Sequence, residues 1–311
     1  MYHYERFMQR CLQIAVGGRG FVAPNPLVGA VIVHNDMVIG EGFHRKYGEA
    51  HAEVNAINSV KDASFLKRAT LFVNLEPCSH YGKTPPCAEL IIQTGIPRVV
   101  IGQLDPYPEV AGKGIEMLRK AGVEVISGVL EAECEELNRE YLTYIKKKRP
   151  YIILKWAESG DGFLDRYRTE GDGQKPFRLS SDFTKMLVHK SRSETAAIMV
   201  GKRTWILDKP KLDVRYWHGN NPRKIVADST FSLEETLEKL YNEKIQSLIV
   251  EGGALLLNSF LEKNLWDEIH IETTSHILNS GVASPKPKGL LKNVQKCEKS
   301  FIFDYINPLN S

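Results

Sequence analysis

Four side chains in the first hundred residues have the types and spacing of a metal-dependent hydrolytic site. His51 and Glu53 lie in an H-A-E triplet, Cys78 follows the proline of an E-P-C triplet, and Cys87 follows two prolines. One imidazole and two thiolates give Zn²⁺ three protein ligands and leave the fourth position for water. Zinc lowers the pKa of such a water to about 7, and a carboxylate that is not a ligand can carry protons between this water and a substrate. The sequence therefore predicts a catalytic zinc site with Glu53 as the proton carrier.

This ligand pattern leaves other interpretations open. Nucleobase deaminases carry H-x-E followed by P-C-x-x-C, whereas eight residues separate Cys78 from Cys87 in this chain. A structural zinc site would have a fourth protein ligand and no place for water, and single histidines and cysteines often serve only in core packing. Because the H-A-E triplet, the E-P-C triplet and a second cysteine before a helix occur together, we favour hydrolytic deamination with one zinc ion per chain, held by His51, Cys78 and Cys87.

The stretch around the cysteines also resembles a known family. The string EPCSHYGKTPPC, together with HAEVNAI and PNPLVGAVIV, is similar to the N-terminal half of the bifunctional riboflavin-biosynthesis deaminase/reductase, whose P-C-x-H-x-G-[RK]-T-P-P-C pattern matches at every position. The resemblance implies the same zinc ligands and proton carrier. It also implies that Asn25 contacts the pyrimidine or ribose and that His44, His80 and Lys83 surround the ribosyl phosphate. Where the family has D-P-N-P, this chain has Tyr107 in place of the asparagine.

The second half of the chain carries weaker signals on its own. Two glycines follow the apolar strand SLIV and open a helix, and such a helix N-terminus can bind an anion. The strings KWAESGDG, RSE, AIMVG, LDKPKLDVR and VEGG resemble the reductase half of the same family, a dihydrofolate-reductase-like domain that uses NADPH. The resemblance assigns to the substrate Lys155, Arg192, Asp208, Leu212, Arg215 and Glu251. It assigns to NADPH Ala157, Thr204, Asp208, Gly253, Ala254, Leu255 and Leu256.

Several positions in this half depart from the family pattern. Phe177 and Arg178 stand where the family has a tryptophan, and Lys209 replaces one carboxylate of A-D-D-P. The stretch 226–241 passes from a strand directly into a helix, without the loop and strand that the family inserts near 229–234. The alternative interpretation is therefore an active deaminase with a degenerate, noncatalytic reductase domain. Either Lys155 or Asp161 could deliver the proton during reduction.

The elements that position these residues alternate between strand and helix. We expect helices at 4–16, 51–60, 87–94 and 114–122, and strands at 28–33, 37–43, 69–75, 98–103 and 123–126. This alternation predicts an α/β fold with a three-layer α/β/α domain, which the resemblance makes cytidine-deaminase-like. A charged run, KKKRP, ends at Pro150 and indicates a boundary. We predict a deaminase domain over 1–147 and an α/β, dihydrofolate-reductase-like domain over 151–311.

Composition limits the partners of this protein. The chain has 311 residues and a net charge of only +3, so a polybasic surface for nucleic acid is not expected. The sequence shows neither a signal peptide nor an apolar run long enough to cross a membrane. Five scattered cysteines favour a reducing compartment, so we predict a cytoplasmic enzyme acting on a small molecule, a pyrimidine ribosyl phosphate. The family resemblance implies a homo-oligomer.

Overall fold

The computed structural model describes residues 2–81, 85–107, 111–228 and 230–310, which form two compact units, Met1–Lys147 and Lys148–Ser311. In the first unit the helices are α1 (Tyr2–Ala15), α2 (Ala52–Ser59), α3 (Cys87–Thr94), α4 (Lys113–Lys120), α5 (Glu131–Leu137) and α6 (Arg139–Lys147). Its strands are β1 (Gly29–His34), β2 (Met37–Phe43), β3 (Thr70–Leu75), β4 (Arg98–Gln103) and β5 (Glu124–Ser127).

One sheet with strand order β2-β1-β3-β4-β5 forms the centre of the first unit. β1 is antiparallel to β2 and β3, while β3, β4 and β5 are parallel. Side chains alternate between the two faces, so Leu71 and Val73 pack with α2, α3 and α4, whereas Phe72 packs with α1 and α5. The expected three-layer α/β/α fold is therefore confirmed.

Close contact between α2 and β2 depends on glycine. A side chain at Gly42 would place its Cβ 2.4 Å from the nitrogen of Ala56, and one at Gly40 would place it 2.7 Å from the oxygen of the same residue. Because glycine has only a hydrogen atom in place of a side chain, α2 can pack directly against β2 at these positions. The start of α2, which carries the H-A-E triplet, is thereby held against the sheet.

The second unit has helices α7 (Asp182–Glu194), α8 (Lys202–Asp208), α9 (Leu233–Asn242) and α10 (Ala254–Glu262). Its strands are β6 (Tyr151–Glu158), β7 (Phe163–Asp165), β8 (Ala197–Gly201), β9 (Arg223–Ala227), β10 (Ser247–Val250), β11 (Glu268–Thr274), β12 (Val282–Ala283), β13 (Leu290–Cys297) and β14 (Ser300–Ile306). The main sheet has the order β13-β14-β11-β6-β10-β8-β9, and β7 pairs with β12.

The central strands of this sheet are parallel and buried on both faces. β11, β6, β10, β8 and β9 run in the same direction, while β14 is antiparallel to both β11 and β13. One face packs on α9 and α10 through Leu237, Leu257 and Phe260. Loops that follow the parallel strands meet at their carboxyl edge, which is the usual ligand-binding edge of such a sheet.

Several elements were not predicted from the sequence. They are α5 and α6 in the first unit, and α8 and the strands after Thr274 in the second. As expected, the chain passes directly from β9 to α9: the strand ends at Ala227 and the helix begins at Leu233. No helix in the described ranges is long and apolar enough to cross a bilayer.

Glu76 links the cysteine loop to a helix of the first unit. It follows β3, is only 3 % exposed, and its carboxylate accepts four main-chain N–H groups at 3.0–3.3 Å, those of Asp105, Gly112, Gly114 and Ile115. Gly114 lies so close that a Cβ there would be 2.1 Å from the oxygen of Pro77. The carboxylate therefore caps the start of α4 and holds the chain two residues before Cys78.

We expect Glu76→Gln to lower the free energy of unfolding of the first unit by about 2–4 kcal/mol, because an amide nitrogen cannot accept the N–H groups that face it. Urea denaturation measures this change. The control is Glu116→Gln on α4, which breaks only an exposed ion pair with Lys120 and should leave the stability almost unchanged. Equal losses in the two variants would contradict the capping role of Glu76.

Candidate functional site

The side chains of His51, Cys78 and Cys87 come together in the first unit. The His51 Nδ1 atom lies 3.6 Å from the Cys78 Sγ and 3.4 Å from the Cys87 Sγ, and the three donor atoms all lie within 4.8 Å of one another. Donors that surround one tetrahedral zinc ion at 2.0–2.3 Å are separated by about 3.3–3.8 Å. The separations therefore fit zinc. Within the part of the chain that the structure describes, no fourth His, Cys, Asp or Glu joins this group.

Two of the three donor residues lie at helix N-termini. His51 is the N-cap of α2, and Cys87 is the first residue of α3, preceded by Pro86 at the N-cap. The main-chain N–H of Cys87 donates to the Cys78 Sγ at 3.3 Å, and that of Ala88 donates to the Cys78 oxygen at 3.2 Å. Helix N-termini favour negative charge, so the arrangement stabilises a thiolate at Cys78.

The pKa values of the Cys78 and Cys87 thiols are shifted in opposite directions. Hydrogen bonding to the Cys87 thiol, together with the His51 imidazole, lowers the pKa of Cys78 to about 4. The same contact with Cys78, and burial, raise the pKa of Cys87. One thiolate is therefore present at neutral pH beside a neutral thiol, and a soft divalent cation would displace the remaining proton.

Glu53 lies beside this group without belonging to it. It is in the first turn of α2 and is 3 % exposed. Burial, and next the charge of Cys78, raise the pKa of the Glu53 carboxyl to about 7. A carboxyl group with such a pKa can both accept and donate a proton near neutral pH.

Asn25 and His44 form a second layer next to His51. The His44 Nδ1 faces the Ala50 carbonyl at 3.1 Å and therefore carries the hydrogen, so its Nε2 accepts from the Asn25 side-chain amide at 3.0 Å. The ring centroids of His44 and His51 are 5.5 Å apart. Burial lowers the pKa of His44, which agrees with a neutral ring. Both ring nitrogens are thus engaged within the protein.

Two buried asparagines hold the segment that carries Asn25, and the sequence analysis missed both. Asn74 accepts from the Gly29 N–H at 2.7 Å and donates to the Leu27 oxygen at 3.0 Å. Asn138 accepts from the Leu27 N–H at 2.8 Å and donates to the same oxygen at 3.0 Å. A signal for Asn74 was available, because it is a lone amide at the end of an apolar strand.

The other two predicted substrate contacts of this unit are His80 and Lys83. His80 is exposed, and Tyr81 beside it donates its hydroxyl hydrogen to Glu89. Lys83 lies outside the described residues. Tyr107, which replaces the asparagine of the family pattern, donates its main-chain N–H to Asp105 at 2.9 Å. Asp105 also accepts from the Tyr141 hydroxyl at 2.9 Å, so its carboxylate orders this loop.

The second unit contains a cavity of about 630 Å³ at the carboxyl edge of its sheet. Most of the predicted reductase residues line it: Lys155, Ala157, Thr204, Asp208, Glu251, Gly253, Ala254, Leu255 and Leu256. Arg192, Leu212 and Arg215 are absent from its lining. A volume of this size is typical of cofactor sites.

The floor of this cavity is a glycine turn before α10. Gly252 and Gly253 have φ angles of +136° and +76°, which disfavour other residues. The Gly201 N–H donates to the Gly252 oxygen at 3.0 Å, joining this turn to the end of β8. A Cβ at Gly253 would lie 3.1 Å from the Thr204 hydroxyl. The bare backbone and the helix N-terminus together form a surface suited to a phosphate.

Arg168 is a cavity residue that the sequence analysis missed. It is 7 % exposed and forms ion pairs with both Asp165 and Asp208. Arg203 donates to the Arg168 main-chain oxygen at 3.1 Å. The guanidinium therefore fixes Asp208, a predicted substrate and cofactor contact, and it belongs to a polar stretch that has no periodic signal.

The two arginines that the sequence analysis assigned to the substrate, Arg192 and Arg215, are paired with carboxylates. Arg192 pairs with both oxygens of Glu251, at 2.8 and 2.5 Å, and donates to the Asp213 main-chain oxygen at 3.1 Å. Arg192 thus holds Glu251, which does line the cavity. Arg215 is paired with the Asp213 carboxylate at 2.7 Å.

The structure separates the two candidate proton donors. Lys155 lines the cavity, and burial lowers the pKa of its ammonium. Asp161 does not line the cavity; its carboxylate accepts from the Ser159 hydroxyl at 2.6 Å and from the Leu278 and Asn279 N–H groups. Lys155 is therefore the better-placed donor.

An aromatic ring does stand near the family's tryptophan position. Phe177 lines the cavity, with the Arg166 guanidinium 4.8 Å from its ring centroid. Arg178 instead lies on the surface and pairs with Asp182. The cavity therefore keeps a flat apolar wall, although phenylalanine stands in place of the family's tryptophan.

Family models match both units. Residues 1–103 match the cytidine and deoxycytidylate deaminase zinc-binding region, and residues 150–236 and 230–301 match the RibD C-terminal domain. The second match has two segments that overlap at residues 230–236, around the start of α9 and within the stretch that the sequence analysis identified as short.

Individual relatives are similar over almost the whole chain. The riboflavin biosynthesis protein RibD of Aquifex aeolicus is 36 % identical over 90 % of this chain and 89 % of its own length. The crystal structure of a diaminohydroxyphosphoribosylaminopyrimidine deaminase/5-amino-6-(5-phosphoribosylamino)uracil reductase from Thermotoga maritima has a TM-score of 0.90 and 34 % identity, covering 98 % of this chain and 99 % of that one.

RibD from Acinetobacter baumannii has a TM-score of 0.88 and 28 % identity with the same coverage. The three-donor group beside a buried carboxyl, the cavity with its glycine turn, and the similarity along both units lead to one assignment. This chain belongs to the RibD family of riboflavin-biosynthesis enzymes and carries both the deaminase and the reductase domain of that family.

Proposed function

We propose that this chain deaminates 2,5-diamino-6-ribosylamino-4(3H)-pyrimidinone 5′-phosphate in its first unit and reduces the ribosyl group of the product to ribityl in its second unit, with NADPH. The observation that carries the proposal is the group of His51, Cys78 and Cys87 beside buried Glu53. Purified protein should release ammonia from this substrate and then consume NADPH. The first step tests the deaminase and the second tests the reductase.

The deamination follows from the chemistry of the first unit. Zinc, when bound by His51, Cys78 and Cys87, supplies a Lewis acid that makes water nucleophilic at neutral pH. Glu53 carries the two protons of the attacking water, one to the ring nitrogen and one to the departing amino nitrogen, so that ammonia leaves and a carbonyl group remains on the ring. Burial of Glu53 supports both roles because it brings its pKa near neutrality.

Glu53→Gln should lower the rate of deamination by about 10²–10⁴-fold, because only proton transfer is removed. Ammonia release measures the rate, and metal analysis should show that zinc is retained. Glu116→Gln, an exposed change of the same kind, is the control and should react normally. A Glu53→Gln enzyme with wild-type turnover would contradict the proposed role.

Cys78→Ser should lose zinc and, with it, the thermal stability of the first unit, because a hydroxyl is a poor substitute for a thiolate ligand. Atomic absorption should find about one zinc ion per wild-type chain and almost none in the variant. The matched control is Cys297→Ser, which removes a thiol from the second unit and should keep the metal. Full zinc occupancy in Cys78→Ser would exclude the proposed ligand set.

The reductase proposal is supported by the cavity of the second unit. NADPH, when bound there, supplies a hydride. The glycine turn and Thr204 suit its phosphates, and the wall formed by Phe177 suits a flat ring. Asp208 and Glu251, held by Arg168 and Arg192, suit the hydroxyl groups of a ribosyl substrate. Nothing in the comparisons favours the alternative of a degenerate reductase domain.

Gly253→Ala should weaken NADPH binding by about tenfold, because the added methyl group meets Thr204 and the positive φ angle is strained. Fluorescence titration of NADPH measures the dissociation constant. Gly122→Ala in the first unit also changes a glycine with a positive φ angle, +84°, but no atom lies within 4 Å of the added Cβ, and it serves as control. An unchanged constant in Gly253→Ala would place the phosphates elsewhere.

The other expectations remain proposals. We assign deamination to residues 1–147 and reduction to residues 151–311, and we expect a cytoplasmic homo-oligomer. The absence of a disulfide bond at any of the five cysteines agrees with this expectation.

A further inference from the structure

A second, smaller cavity lies behind Lys155. It has a volume of about 80 Å³ and lies between the sheet of the second unit and α7. Its polar lining comes from Lys155, Thr184, Ser191, His270 and Glu272. The space is large enough for more than one water molecule, since one requires about 10–15 Å³ in the same measure. Lys155 lines both this cavity and the large one.

Strand register explains why these groups share one face. β6 and β11 are parallel, with Lys155 opposite His270 and Ala157 opposite Glu272. Because side chains alternate along a strand, all four point to the same side of the sheet. Lys155 and Glu272 are therefore diagonal neighbours beneath α7.

Glu272 is an unusual residue for this position. It is 4 % exposed, and one carboxylate oxygen, Oε2, accepts from the Ser180 hydroxyl at 2.5 Å. The other, Oε1, is buried and has no hydrogen-bond partner among the described residues. Burying a carboxylate with an unsatisfied oxygen is costly, so this oxygen calls for a donor in the cavity.

Lys155 is the complementary group. Among the described residues it makes no hydrogen bond or ion pair. The other charges near it are already engaged: Glu251 is paired with Arg192, and the two nitrogens of His270 face Glu268 and Asp304. Glu272 is thus the available carboxylate on this side of Lys155.

We propose that the small cavity is an ordered-water site through which the Glu272 carboxylate is hydrogen-bonded to the Lys155 ammonium, making Glu272 a positioning residue for the proton donor of the reduction. The inference rests on the proposed reductase function. In that step NADPH is oxidised to NADP⁺: a C–H bond of its nicotinamide ring breaks, and the hydride forms a C–H bond at the opened ribosyl carbon. The electron pair of the C=N bond moves to nitrogen, which takes a proton from Lys155, and Lys155 regains a proton from solvent.

Direct titration of Lys155 tests the proposal without cofactor. Trace labelling with acetic anhydride at a series of pH values, followed by peptide mass spectrometry, gives the pH at which Lys155 loses its proton. Burial lowers the pKa of Lys155, Glu251 and Glu272 raise it, and Arg192 lowers it. Glu272→Gln removes one raising charge and should move the labelling midpoint to lower pH by about half a unit or more.

Two further variants calibrate this shift. Glu272→Asp keeps the charge and should retain a midpoint near that of the wild-type protein. Glu262→Gln, an exposed change at the end of α10, should leave it unchanged. In the NADPH assay, the basic limb of the pH profile should move with the labelling midpoint, and ammonia release should not change.

The outcomes separate this inference from the proposed function. An unchanged midpoint in folded Glu272→Gln would overturn the role of Glu272. If Glu272→Gln fails to fold, a high-resolution crystal structure of the wild-type protein decides: a water within about 3.2 Å of both the Lys155 Nζ and the Glu272 Oε1 supports the proposal, and its absence from a well-ordered cavity overturns it. A wild-type protein that never oxidises NADPH would instead refute the reductase function, whatever the labelling shows.

Discussion

The chemistry of the first unit depends on bringing one imidazole and two thiols within a single coordination sphere. His51 and Cys87 reach it from the N-termini of two helices, and Cys78 from the loop after a buried strand. Each position depends on contacts elsewhere. Gly40 and Gly42 let α2 rest on its strand, and the Glu76 carboxylate holds the loop before Cys78. The convergence of the three candidate metal donors therefore depends on the whole three-layer fold.

Both units contain buried ionisable groups whose burial lowers the stability of the folded state. Glu53 is withdrawn from water beside a thiolate, and Lys155 lies partly buried beside a carboxylate with an unsatisfied oxygen. Such arrangements cost folding free energy and are found where pKa values must be moved toward neutrality. In the second unit, the ion pairs of Arg192 with Glu251 and of Arg168 with Asp208 neutralise the carboxylates that line the large cavity.

The short passage between β9 and α9 does not remove the large cavity of the second unit. Phe231 and Leu233, which follow β9, line it together with Ala227. The departure near Phe177 likewise retains an aromatic ring in the wall. Different residues can give a cavity the same shape and surface chemistry. The replacement of a residue that the family pattern specifies is therefore weak evidence for loss of function.

The sequence by itself predicted most of the elements and the three candidate metal donors. Local signals were sufficient for these: period-two apolar runs for the strands, prolines and glycines at helix ends, and two short motifs whose residue types suit zinc. Only the tertiary structure decided the supporting contacts, namely the asparagines that hold Leu27, the pairing of Arg168 with Asp208, and the placement of Glu272 beside Lys155. These partners lie 40 or more residues apart in the chain, and polar residues in such pairs carry no periodic pattern, because their roles depend on which strands and helices become neighbours on folding.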